Sequence, residues 1–192
     1  MPLNLVAIYG SVRSDRKGIR AARFVTREFS ARGHAVTLVD PVEVRLPLLD
    51  RMYKEYPKGG APEPLERLAT LFRGADAFIL VTGEYNHGVP PALVNLLDHF
   101  LEEYFWRPSA IVSYSAGMFG GARAAIVLRE MAAEMGMPSI SSTLPVPKVQ
   151  QAFNEEGEPQ DPAWHRRFAR FASELEWYAE ALKARREKGV PY

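Results

Sequence analysis

Leu3-Asn4-Leu5-Val6-Ala7-Ile8-Tyr9-Gly10-Ser11-Val12-Arg13-Ser14-Asp15-Arg16-Lys17-Gly18-Ile19 is the stretch whose reading decides the fold. Its first seven residues are a near-continuous apolar run that stops at Gly10. Such a run marks a strand buried on both faces, as in parallel sheets, rather than a half-exposed strand with alternating character. From Gly18 the spacing changes. Ile19, Ala22, Val25, Thr26 and Phe29 recur at threes and fours, one face of a helix that Gly33 ends. The segment therefore reads strand, polar glycine-bounded loop, helix.

The same alternation continues along the chain. Ala35 to Val39 predicts a second strand, closed by Asp40-Pro41. Leu65, Leu68, Ala69 and Phe72 predict a helix stopped at Gly74. Ala77 to Thr82 is a third strand. Pro90 and Pro91 precede a helix whose apolar side runs through Leu93, Leu96, Leu97, Phe100, Leu101 and Tyr104. Ser109 to Tyr114 is a fourth strand, an Ala-rich helix follows from about Ala122 to Met135, and a weaker fifth strand is expected around Ser139 to Leu144. Five strand–helix alternations imply an α/β fold with a parallel sheet wrapped on both faces, because crossovers are right-handed. The count and length fit a doubly wound, flavodoxin-like five-stranded sheet of order 2-1-3-4-5, with an extra C-terminal helix. In such sheets ligands sit at the carboxyl ends of the strands, so the loops after strands one, three and four are the search area.

Two segments lie outside that unit. Asp40 to Pro64 is a long connection and carries Leu46, Pro47, Leu48 and Leu49; a loop of that length is usually functional or interfacial. From Trp164, the residues Phe168, Phe171, Leu175, Tyr178 and Leu182 continue an apolar seam on a charged helix. It either docks on its own domain or meets another subunit. Residues 1–150 are expected to form the ligand-binding domain. Residues 151–192 are expected to form a linker, with Asn154 to Pro162 as an exposed linker or arm, and an amphipathic helix for docking or oligomerisation.

Composition narrows the function. The chain has 192 residues, 47% hydrophobic and 24% charged, an ordinary soluble balance that excludes wholesale disorder. Lys and Arg number 24 against 23 Asp and Glu, a formal charge of +1, which argues against a nucleic-acid partner. It argues more weakly against an acidic carrier steered to basic partners. There is no cysteine, so disulfides, thiolate chemistry and Fe–S clusters are excluded. No apolar run reaches the ~20 residues a membrane helix needs, and the N-terminus lacks a signal layout, so no membrane partner and a cytoplasmic location are expected. The four histidines (His34, His87, His99, His165) show no ligand spacing, and no metal is expected.

The three loops carry the chemistry. Residues 10–18 lack both the G-x-G-x-x-G and the P-loop spacing, yet they lead hydroxyls, cations and glycines into a helix N-terminus. A phosphate is the natural guest there, with Arg13 as a forked donor and Lys17 as a point charge. Gly83 to Pro91 packs Glu84, Tyr85, Asn86 and His87 between a buried strand and a helix. A flat heteroaromatic ligand would stack on Tyr85 and meet the Asn86 amide and loop N–H groups. His87 alone could act as a general acid, but a lone loop histidine is more often a surface residue. Ser115, Gly117, Gly120 and Gly121 let backbone approach a ligand closely. Three such loops at one sheet edge read as a cofactor cleft.

At this point the chain resembles a known family. Gly10-Ser11-x-Arg13, then Glu84-Tyr85-Asn86-His87-Gly88-x-Pro90-x-x-Leu93-x-Asn95-x-x-Asp98, then Ser115-x-Gly117-x-x-Gly120-Gly121 with Leu128-Arg129 resemble the NADPH-dependent FMN reductase family over roughly residues 3–145. That family includes quinone, azo-dye and chromate reductases. Gly83 stands where the family usually has Pro, and Val94 where it commonly has Lys. The resemblance implies FMN as cofactor and NADPH (or NADH) as co-substrate. It places the FMN phosphate on Ser11, Arg13, Lys17, Gly18 and Ile19. The ring system falls against Glu84, Tyr85, Asn86 and His87, with Ser115 and Gly117 near its other edge. It further implies hydride passage through the flavin to a small acceptor (quinone, azo compound, flavin or metal oxyanion) by a two-step exchange. The flavin N5 then carries the chemistry and no protein side chain is catalytic. A homodimer or homotetramer is implied, with partner residues at the flavin mouth. The alternative is a flavodoxin-like electron carrier or flavin-dependent regulatory protein without NAD(P)H turnover.

Overall fold

A computed structural model describes residues 1–192. Its strands are β1 (Asn4–Tyr9), β2 (Ala35–Val39), β3 (Ala77–Gly83), β4 (Ser109–Tyr114) and β5 (Ser139–Val146). All pairings are parallel, in the order β2-β1-β3-β4-β5, the doubly wound order expected from the alternation. The helices are α1 (Ile19–Ala31), α2 (Pro41–Val44), α3 (Glu63–Arg73), α4 (Pro91–Asp98), α5 (Ala122–Glu134), α6 (Val149–Ala152) and α7 (Ala163–Arg186). No helix is long and apolar enough to cross a membrane.

The alternation of side chains along each strand divides the core in two. Leu5, Ala7 and Tyr9 of β1, with Ile79 of β3 and Val112 of β4, face α1 and α7. Val6 and Ile8, with Phe78, Leu80 and Ile111, face α3, α4 and α5. Both faces of β1, β3 and β4 are thus covered, which is why those strands read as unbroken apolar runs. The edge strand β2 is half exposed.

The C-terminal seam packs on the protein's own sheet. Trp164, Phe168, Phe171 and Leu175 are buried in the same layer as β1 and α1. Phe168 meets Phe29 edge-on at 4.8 Å, and Phe24 stacks on Phe153 at 4.6 Å. Burying each such side chain contributes roughly 1.5–3 kcal/mol. The far end of α7 is pinned by the buried Asp76, which accepts from Lys183 Nζ at 2.9 Å, Arg186 Nη2 at 3.2 Å and the Asn4 amide at 2.9 Å.

Three departures from the sequence reading have local causes. The apolar pattern through Tyr104 does not continue one helix: α4 stops at Asp98, and the His99 carbonyl accepts the Tyr53 amide at 2.7 Å. Phe100 and Tyr104 still fill the core, beside Phe72. The 40–64 connection contains α2, capped by the Asp40 side chain, and a 3-10 turn at Tyr53–Glu55. Asn95 Nδ2 donates to the Pro47 carbonyl and its Oδ1 accepts the Leu49 amide, both at 2.8 Å, which ties this segment to α4. Residues 154–162 are largely exposed yet ordered: a small hairpin lies on α1, with Gly157 so close that a Cβ would sit 2.7 Å from the Phe24 nitrogen.

Candidate functional site

The loop from Gly10 to Gly18 leaves the carboxyl end of β1 and enters α1. Its anchor is Arg16. That guanidinium pairs closely with Asp40 at the end of β2, reaches the Ser11 carbonyl at 3.4 Å and lies over the Tyr9 ring. The Asp40 hydrogen bond holds the Arg16 pKa above its ordinary value despite partial burial. Arg16 is therefore spent on the shape of the loop. Lys17 pairs with Asp15 at 2.8 Å, and that partner lowers the Asp15 pKa. Arg13 is exposed, and its guanidinium has no protein partner. The backbone N–H groups of residues 14–18 have no protein acceptor either. Gly18 carries no side-chain cap at the start of α1. Five consecutive free amides and a free guanidinium at a helix N-terminus present a positive surface suited to a phosphate.

Beneath this loop the space is filled by Tyr114, the last residue of β4. Its ring stacks on Tyr9 at 6.1 Å, and its hydroxyl donates to the Tyr9 hydroxyl at 3.2 Å. Gly18 lies directly against the ring: a Cβ there would stand 2.0 Å from Tyr114 Cζ. Burial, with the neighbouring Tyr9, drives the Tyr114 phenol far above its ordinary range, and burial also raises Tyr9. Both are neutral hydroxyls at any physiological pH. Ser11, also buried, shares a 2.8 Å hydrogen bond with the Tyr85 hydroxyl, which joins the first loop to the one after β3.

After β3 the chain makes a tight turn in which Tyr85 and Gly88 exchange both backbone hydrogen bonds, at 3.0 and 2.9 Å. Asn86 and His87 occupy the two central positions with φ of 50° and 66°. Positive φ at both positions is the signature of a primed turn, which asparagine tolerates and histidine adopts less readily. Both side chains are exposed at the tip. Glu84 turns the other way. Its carboxylate accepts the Arg123 and Ala124 amides at 3.0 and 3.3 Å and the Arg123 guanidinium at 3.2 Å, at the start of α5. Burial opposes ionisation there, but those donors prevail and the Glu84 pKa lies below its ordinary value. Glu84 thus caps α5 and locks the loop after β3 to the loop after β4.

The loop after β4 is held in turn by the segment after β5. Lys148 and Val149 donate their amides to the carbonyls of Gly117 at 2.9 Å and Ser115 at 3.1 Å. Ser115 Oγ donates to the Gly117 carbonyl at 3.1 Å.

These elements enclose a cleft of about 280 Å³ at the carboxyl ends of the strands. It brings together Ser11, Arg13, Lys17, Gly18, Glu84, Tyr85 and Ser115. Of the remaining candidates, Ile19 starts α1 and packs against the core, Asn86 and His87 sit at the turn tip, and Gly117 lies further along its loop; none of the four lines the cleft. Sequence reasoning missed Arg16 and Tyr114 as structural members, and Val149 and Gln150 as a wall. Extending the strand-end rule to the segment after β5 finds the last pair.

A family model described as NADPH-dependent FMN reductase matches residues 3–151. The NAD(P)H-dependent FMN reductase of Schizosaccharomyces pombe is 34% identical over 162 residues, covering 77% of this chain and 76% of that protein. The quinone reductase of Escherichia coli is 31% identical over 133 residues, covering 67% and 69%. Among solved structures, the flavoenzyme NAD(P)H:(acceptor) oxidoreductase FerB from Paracoccus denitrificans superposes with a TM-score of 0.75 at 18% identity, over 95% of this chain and 98% of that one.

Proposed function

The chain belongs to the NADPH-dependent FMN reductase family, and from that membership we propose an enzyme that takes hydride equivalents from NAD(P)H and delivers them to a small acceptor through bound FMN. The observation that carries the reading is the loop of residues 10–18. Its five free amides and unpaired Arg13 at a helix N-terminus, beside the Asp15-paired Lys17 and opening on a cleft, match a phosphate monoester on a flat ligand. The residues present fit FMN.

In this reading Arg13 grips two phosphate oxygens with its fork and Lys17 adds a point charge. Gly18 offers its free amide at the helix start, where its missing Cβ also leaves room for the Tyr114 ring below, while the Ile19 amide is already taken by the Arg16 carbonyl at 3.1 Å. Ser11, oriented by the Tyr85 hydroxyl, supplies a buried donor. Tyr85 would flank the ring system on one side and Ser115 on the other, with Asn86 and His87 at the turn tip and Gly117 further along its loop, outside the cleft lining. Glu84 contributes by position, since its carboxylate is committed to α5. FMN, when bound, supplies the two-electron exchange between a nicotinamide and the acceptor. The protein would orient and desolvate the cofactor and donate hydrogen bonds to it. Residues 1–150 carry these contacts, and residues 151–192 support them.

For the acceptor, a quinone is placed first because the Escherichia coli relative is named a quinone reductase; an azo compound, free flavin or metal oxyanion needs the same open cleft. A second copy of the chain is placed at the mouth. Exposed Met118 and Phe119, on the loop whose first residues line the cleft, and Leu48 on the long connection give it apolar surface to cover.

The test is spectroscopic. The purified chain should take up FMN one to one, and anaerobic NADPH or NADH should bleach it. Arg13→Ala should weaken FMN binding about tenfold, the loss of a charge-assisted pair. A colourless protein that takes up no FMN sinks the reading. Bound FMN reduced only by another protein leaves an electron carrier instead.

A further inference from the structure

Three arginines on one face of α1 hold the segment that follows β5. Arg20 Nη1 donates to the carbonyls of Gln150 and Phe153, each at 3.1 Å. Arg23 donates to the Glu155 carbonyl. Arg27 reaches the Gly157 carbonyl at 3.2 Å and the Glu158 carboxylate at 3.4 Å. Only Arg20 touches α6, and α6 has four residues. A helix that short has no stability of its own, and its last carbonyls require partners. The Arg20 guanidinium, with only 14% of its side chain exposed, supplies one for Gln150 and one for Phe153 just past the helix, while the Ala152 carbonyl takes the Gln160 amide at 2.9 Å.

What α6 does next gives Arg20 a role in the cleft. The amides of Lys148 and Val149 and the side chain of Gln150 take up the carbonyls of Gly117, Ser115 and Ala116, the last at 3.3 Å. In a trans peptide the carbonyl of one residue and the N–H of the next point in opposite directions. Holding three consecutive carbonyls against α6 therefore turns the amides of residues 116, 117 and 118 away from it, and none of these has a protein acceptor. A loop whose carbonyls are consumed and whose amides are free is a fixed array of donors.

We propose that Arg20, through α6, is a positioning residue for the cofactor cleft, setting the pose of the free 116–118 amides next to the cleft wall at Ser115 and Ala116. The proposal rests on the FMN reading above. It requires no contact between Arg20 and the ligand.

Arg27 is the built-in control, because it holds the same segment by two hydrogen bonds that lie wholly beyond α6, whereas Arg20 makes three, the third from Nη2 to the exposed Glu155 carboxylate at 3.4 Å. The experiment compares Arg20→Ala, Arg20→Lys and Arg27→Ala in the full chain. FMN affinity is followed by fluorescence quenching, amide exchange at Lys148 and Val149 is measured in the cofactor-free protein, and the visible band of bound FMN is recorded. R20A should raise the FMN Kd about tenfold, speed exchange at both amides by a similar factor and shift the flavin band. R20K, which keeps the charge but not the forked geometry, should recover part of each loss. R27A should leave all three within about twofold. Equal effects of R20A and R27A, or faster exchange with an unchanged FMN Kd and band, overturn the proposal. A wild-type chain that takes up no FMN overturns the cofactor reading itself.

Discussion

Gly18→Ala is the sharpest test of how the cleft is built, because two opposing effects meet at one methyl group. The backbone of Gly18 has φ −63° and ψ −17°, an ordinary helical conformation that alanine accepts. On backbone grounds alone the substitution should stabilise the protein by ~0.4–1 kcal/mol, through a less flexible unfolded chain. The packing says the reverse. The new Cβ would stand 2.0, 2.2 and 2.5 Å from three carbons of the Tyr114 ring, where ordinary carbon contacts are about 3.5–4.0 Å. The ring cannot swing aside: Tyr9 stacks on it, and even a Cβ on Gly83 would come within 3.1 Å of it. Overpacking of a confined site costs roughly 1–3 kcal/mol, and a shortfall of this size points to the upper end. G18A should therefore lose about 2 kcal/mol net, read as a lower urea midpoint with unchanged slope. Tyr114→Ala alone should cost about 3–5 kcal/mol. In the double variant the methyl enters the space the ring has left, so G18A/Y114A should be no less stable than Y114A. Gly117→Ala is the control, since a Cβ there meets nothing within 4 Å. If the G18A and Y114A losses add to within ~0.5 kcal/mol, the two residues are not in contact and this account of the cleft floor is wrong.

Two further outcomes follow from the contacts around the cleft and its supports. Glu84, Glu174 and Glu176 all lie below their ordinary value of 4.5 when folded: Glu84 through the α5 amides against opposing burial, Glu174 first through Ser142, and Glu176 through Arg32 and His34 against opposing burial. A depressed folded pKa stabilises above the unfolded value and is lost as pH falls through the folded one, so stability measured by denaturant titration should drop below about pH 4.5, and Glu84→Gln should flatten part of that drop. Phe168→Ala should cost about 3–5 kcal/mol independently of protein concentration, because its ring packs within the chain against Phe24 and Phe29; a loss that vanishes at high concentration would place the seam between subunits instead.

Much of the fold is legible because its causes are local. β1, β3 and β4 are buried on both faces, so their runs are unbroken, and each ends where glycine, proline or a polar loop begins. Periodicity misleads only where the chain bends without changing layer. Phe100 and Tyr104 keep helical spacing after Leu97 and reach the same aromatic cluster as Phe72, although the helix has already ended. The long connection is opaque for a different reason. Single side chains hold it, such as Asn95 on Pro47 and Leu49, or Glu66 on the Tyr53 hydroxyl and the Ala61 amide, and no period records them.

The candidate site divides along the same line. Loops rich in glycine, hydroxyl and cationic residues at strand ends announce themselves, and Ser11, Arg13, Glu84, Tyr85 and Ser115 come together as those loops suggest. What a residue does inside the cleft is set by partners far away in sequence. Glu84 reads as a ligand contact until the amides 39 and 40 residues on are seen to hold it. The Tyr9–Tyr114 pair spans 105 residues, and Arg20 reaches across 130 to Gln150. The wall after β5 shows how close such a feature can lie to legibility. The rule that ligands gather at the carboxyl ends of parallel strands applies to β5 as much as to β1. That strand, however, sits at the sheet edge with one side partly open, so its sequence alternates weakly and its end is poorly marked. An edge strand thus hides the segment that follows it, and in this fold that segment is the one that fixes the donors of the neighbouring loop.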